Sequence, residues 1–104
     1  MENRIAYLPL GSVVLLKHAT KKVIIVGRGL KIKHKGEEVF FDYAAARYPE
    51  GIEGDQLAYF NHDSIAKIVF EGFADDDNTI IVDNINHFLS ENEVKRGNAE
   101  EMRS

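Results

Sequence analysis

Few residues in this 104-residue chain combine the type and the spacing that chemistry needs. His62-Asp63-Ser64 holds the three side-chain types of a hydrolase triad. A triad, however, draws its groups from separate backbone segments, and adjacent residues cannot converge on one another. No G-x-S-x-G surrounds any serine. With Asn61, the tripeptide fits a turn, up to one turn of 3₁₀ helix, because Asn and Asp side chains bond local backbone. Histidines stand at 18, 34, 62 and 87 with no i, i+4 pair and no H-x-H. A metal centre would require the fold to gather them around Asp42 or Asp63. The absence of cysteine removes thiolate nucleophiles, disulfides and cysteine-held zinc or iron–sulfur sites. Gly27-Arg28-Gly29 follows a β-prone run as a phosphate loop would, but it lacks the third glycine and the helix, and fits a bend or bulge. Asp75-Asp76-Asp77-Asn78 lacks the glycine and later glutamate of a calcium loop and fits a helix start. The expectation is a non-enzyme with no catalytic residue, no metal and no cofactor.

Binding chemistry has better candidates. Pro49-Glu50-Gly51-Ile52-Glu53-Gly54-Asp55 places one proline, two glycines and three acids in seven residues. No base or nucleophile accompanies those carboxylates, so a recognition loop is expected rather than acid–base work. The candidate partner-binding residues are Tyr48, Glu50, Ile52, Glu53, Asp55 and Tyr59. A nucleic-acid reading would stack bases on Phe40, Phe41, Tyr43 and Tyr59 beside the N-terminal lysines. The net charge of −4 opposes it. That charge is unevenly placed: residues 1–35 carry +7 and residues 36–104 carry −11. The expectation is that oppositely charged strands neutralise one another across one sheet.

The elements that must position these residues are mostly strands. Ser12–Lys17 and Lys22–Gly27 are β-branched runs joined by His18-Ala19-Thr20-Lys21, the pattern of a hairpin. Leu30–Lys35 alternates apolar and basic residues as an exposed ribbon extending the second strand. Val39–Tyr48 is a third strand despite the helix-favouring alanines 44 to 46. Leu57–Phe60 and Ile65–Phe73 complete the set. From Ile81 onward apolar residues recur at helical spacing, predicting a helix over about Asn78–Val94 with Gly97 as its stop. The predicted fold is α+β, with four to five mainly antiparallel strands in a strongly curled sheet or small SH3-like barrel and a C-terminal helix. Residues 1–97 form a single domain and 98–104 a polar tail. The expected core is Val13, Leu15, Val23, Ile25, Phe40, Tyr43, Phe60, Ile68, Phe70, Ile85 and Phe88. No apolar run approaches the ~20 residues needed to span a bilayer. Met1–Leu10 has no basic-then-apolar leader, so a soluble protein is expected.

The segments LPLGSVVLLK, KKVIIVGR, FDYAAARYPEG and YFNHDSIAKIVFEGF stand in order within about residues 8–90. In them the chain resembles small domain-of-unknown-function proteins of Gram-positive bacteria found in type VII (ESX) secretion gene clusters, near LXG polymorphic toxins. His18-Ala19 departs from the glycine-containing turn expected there. The resemblance implies a small cytoplasmic protein without catalytic residues, acting as an adaptor or chaperone-like accessory. Its implied partner is an LXG toxin, a small helical accessory or a related locus-encoded protein. An immunity protein against a cognate toxin is the alternative, and a small-barrel nucleic-acid module stands behind it. Exposed strand edges leave room for a homodimer.

Overall fold

Runs of β-branched and aromatic residues become strands, and the one segment of helical period becomes the helix. The structure, a computed structural model, describes residues 4–98. Its elements are β1 (Val13–Leu16), β2 (Lys22–His34), β3 (Glu37–Arg47), β4 (Ala58–Phe60), a 3₁₀ turn (His62–Ser64), β5 (Ile65–Phe70) and α1 (Asp76–Glu91). The strands form one sheet in the order β4-β3-β2-β1-β5, with every neighbouring pair antiparallel. The α+β architecture is as expected. The sheet is open, however, and the barrel alternative does not form, because β4 and β5 end as edges and do not pair with each other.

Two turns set the registers. His18, where a glycine was expected, takes φ 64° in the β1–β2 connection. Lys35 (φ 52°) and Gly36 (φ 79°) close the β2–β3 hairpin between His34 and Glu37. Two successive positive φ values are what a two-residue hairpin turn of the right twist demands. The Leu30–Lys35 ribbon is thus mostly the far half of β2, laid on β3 with Lys33 opposite Glu38. Gly27 marks the bulge in β2, where the register shifts between Ile25 and Gly27. Gly29 (φ 62°) follows, and a side chain there would press on Ile85 of α1. Glycine at this bend lets the helix approach the sheet.

Val14, Leu16, Val23, Ile25, Tyr43 and Phe60 form the core, joined by Tyr7 and Leu8 of the N-terminal arm. Val82 and Ile85 of α1 pack against it. Ala44, Ala45 and Ala46 are fully buried in β3. Their helix preference, less than ~1 kcal/mol each, yields to a strand that is bonded on both sides. Six of the expected core residues are buried: Val13, Val23, Ile25, Phe40, Tyr43 and Phe60. Leu15, Ile85 and Phe88 are only half-buried. Ile68 and Phe70 lie outside the core, 49% and 62% exposed, because β5 is an edge strand. β5 also stops at Phe70, short of Phe73.

Asp75 caps α1 by accepting the Asn78 N–H, and Asp76 and Asp77 occupy the favourable first turn. The helix ends at Glu91 instead of about Val94. The chain after it returns along β3, where Phe40 N–H bonds Lys95 O and Gly97 N–H bonds Phe40 O. Gly97 therefore does not stop the helix; it lies against the Phe41 ring, where any side chain would overlap it. Of the expected polar tail, all but Asn98 falls outside the described residues. Among the described residues, no helix is long and apolar enough to cross a membrane.

Candidate interaction surface

The fold assembles a buried polar knot around Asp42. This carboxylate interrupts the apolar run of β3 and is only 2% exposed. Tyr7 O–H donates to Oδ1 (2.7 Å), His62 N–H donates to Oδ2 (2.8 Å), and Arg96 Nη1 forms an ion pair with Oδ1. Asn61 supports both sides: Oδ1 accepts the Asp42 N–H (3.1 Å) and Nδ2 donates to Gly97 O (2.9 Å). Beside it, the Tyr43 hydroxyl accepts the Leu8 N–H (3.0 Å) and meets His62 Nδ1 at 2.8 Å. Burial pushes the Tyr43 phenol up to about 12, partly offset by the Leu8 N–H bond. Burial, then the bond to Asp42, pushes Tyr7 further still. Asp42 thereby fastens the N-terminal arm, β3, the 3₁₀ turn and the C-terminal return into one body.

From the sequence Asp42 suggests only a metal partner, and its actual partners are not visible there because they lie at 7, 61, 62 and 96. A signal was present: a charged residue inside the run Val39–Ala46 must bring its own partners if the run is buried. Among the described residues, no three His, Asp or Glu side chains gather into a metal-sized group. His62-Asp63-Ser64 is one turn of 3₁₀ helix.

The loop after β3 brings five of the six candidate residues to one place. Its backbone folds back at the Arg47–Gly51 and Glu53–Gln56 bridges, and the Tyr48–Pro49 peptide is cis. Glu50, Glu53 and Asp55 are exposed, and Ile52 is 63% exposed. Glu53 lies 3.8 Å from Arg47, and the Lys22 ammonium sits 6.0 Å over the exposed Tyr48 ring. Tyr59 is not part of this surface. It is half-buried in β4, with its ring 5.8 Å from that of Phe41.

A second surface, outside the candidate residues that the sequence suggests, lies at the opposite edge of the sheet. Among the described residues, β5 pairs with β1 on one side only. It presents Ile68, Val69 and Phe70, each about half exposed or more, with Lys67 as its only charge. Phe73 follows at 80% exposure. Gly72 N–H bonds Ser12 Oγ (2.9 Å) and Gly11 N–H bonds Ile25 O (2.8 Å). These bonds bring the exposed Leu10 and Val26 to the same end of the sheet as Phe70 and Phe73. An open groove of about 330 Å³ runs beside β5, lined by His62, Ile65, Ala66, Lys67 and Ile68. An apolar edge strand with unpaired backbone groups is a template for another strand.

No curated protein and no solved structure matches the chain. A family model described as a domain of unknown function, DUF4176, matches residues 7–81. The match begins at the knot's Tyr7, takes in the whole sheet with the β5 edge, and ends in the second turn of α1. It covers well over half of the chain, and the protein therefore belongs to the DUF4176 family of unknown function.

Proposed function

We propose that the protein is a non-enzymatic, protein-binding accessory, an adaptor or chaperone-like subunit, and that it serves a type VII secretion locus encoding LXG toxins. The observation that carries the binding role is the β5 edge, where Ile68, Val69, Phe70 and Phe73 face solvent beside an open groove. Soluble domains usually blunt such an edge with charge, proline or a covering element. Here the six-residue strand carries one lysine. The secretion context rests on the resemblance in LPLGSVVLLK, KKVIIVGR and YFNHDSIAKIVFEGF. The partner would be the toxin itself or a small helical protein encoded beside it. The loop bearing Tyr48, Glu50, Ile52, Glu53 and Asp55 would supply a second, polar contact.

Capture of the tagged protein from its own host, followed by mass spectrometry, tests this reading. A toxin or locus-encoded protein recovered in stoichiometric amount is the expected result. Recovery of the protein alone would overturn it as an account of a stable complex.

A further inference from the structure

The charges around β5 say what kind of segment its edge accepts. Exposed acids flank the strand at both ends, with Asp63 before Ile65 and Glu71 after Phe70. Asp75, Asp76 and Asp77 add more negative charge just beyond Phe73, at the start of α1. Between those ends the strand is apolar save for Lys67. A strand added to this edge runs along Ile65–Phe70, with Lys67 at the centre and Ile68, Val69 and Phe70 beyond it, and brings its two ends near carboxylates. Opposite charges at facing positions stabilise a strand pair, and like charges destabilise it.

A second copy is the wrong occupant by the same rule. Two β5 strands paired antiparallel about a two-fold axis, Ile65 opposite Val69, bring Asp63 of each copy across from Glu71 of the other and set Lys67 opposite Lys67. The repulsion occurs twice and is relieved by nothing else on the strand.

We infer that the free edge of β5 takes up an extended segment of a partner protein, with an apolar middle and a Lys or Arg at each end, as the sixth strand of the sheet. This rests on the protein-binding reading above and specifies its surface and its partner's chemistry. Main-chain hydrogen bonds supply attachment, the groove beside His62, Ile65 and Ile68 receives side chains, and the terminal cations select the partner.

The test is a titration of the ¹⁵N-labelled full chain with two eight-residue peptides of alternating valine and threonine, one arginine-ended and one glutamate-ended. The arginine-ended peptide should bind at least ~10-fold tighter at low salt and shift the amides of Ile65–Phe70. In the double variant Asp63→Lys, Glu71→Lys, both at exposed positions, the preference should reverse while the remaining amide spectrum is kept. Equal affinity for the two peptides, no binding of either, or shifts confined to residues 48–55 would overturn the inference. So would concentration-dependent self-association that broadens the same β5 amides, since the edge would then belong to a second copy. The broader reading fails separately: if the host partner is captured equally by wild type and double variant, protein binding stands and the basic-ended strand does not.

Discussion

With Asp42 withdrawn from water, its charge is balanced by Arg96 and by donors from Tyr7 and His62. Removing a partner from such a group costs more than the bond itself contributes, because the remaining polar atoms stay buried and unpaired. Asp42→Ala should therefore destabilise the protein by about 3 kcal/mol, Arg96→Ala by about 1–2 kcal/mol because that side chain is partly solvated, and Tyr7→Phe by about 1 kcal/mol. Urea unfolding should reproduce that order, and an Asp42→Ala variant as stable as wild type would contradict it. The two phenols add a pH dependence. A tyrosine whose folded pKa is raised prefers its neutral form in the native state, so its contribution is complete below the unfolded value. For Tyr43 that contribution is full below pH 10 and disappears as pH rises through about 12. Tyr7, pushed higher still, extends the loss upward. Stability measured from pH 9 to 12 should fall across this window, with phenolate absorbance lagging behind that of the unfolded chain. None of this was legible as a cluster, since Asp42 meets residues 35 and 54 positions away.

Among the elements, the strands followed from their β-branched and aromatic runs and the helix from its apolar period, and the misplacements have local causes. α1 starts before Asn78 because Asp75 caps it, and ends early because residues 95–97 are bonded to Phe40. β5 ends at Phe70 because the next segment turns away to bond Ser12 through Gly72. The alanines of β3 stayed extended because neighbours on both sides outweigh intrinsic preference. The β2–β3 hairpin carries a strain that can be relieved. Lys35 holds φ 52° in a two-residue turn whose first position favours asparagine. Lys35→Asn should stabilise the protein by roughly 0.5 kcal/mol, read as a raised melting temperature. A lowered one would mean that the lysine makes up for its backbone cost through contacts of its own.

For the molecule as a whole, the charge segregation in the sequence largely persists in the fold, with a single ion pair among the described residues linking residues 4–35 to the acidic remainder. Arg4 meets Asp83 at 2.6 Å, Lys95 meets Glu37 at 2.6 Å, and Arg96 meets Asp42. Only Arg4–Asp83 joins the basic segment to the acidic one; Lys95–Glu37 and Arg96–Asp42 form inside residues 36–104 and tie the C-terminal return to β3, so these pairs are not the cross-strand neutralisation expected from the sequence. What they leave over is two surfaces at opposite edges of the sheet, one polar and acidic at residues 48–55, the other apolar with acidic ends at β5. The first could be read from its turn residues. The second could not, because Ile65–Phe70 has the composition of a core strand, and only strand order reveals that it has one neighbour among the described residues. Docking of a partner at this edge is the proposal that joins these surfaces to a function. The most direct measurement is amide hydrogen exchange of the protein alone and in the complex captured from its host. Slowed exchange across Ile65–Phe70 in the complex is the predicted result. Protection confined to residues 48–55, with β5 exchanging as it does in the free protein, would contradict it.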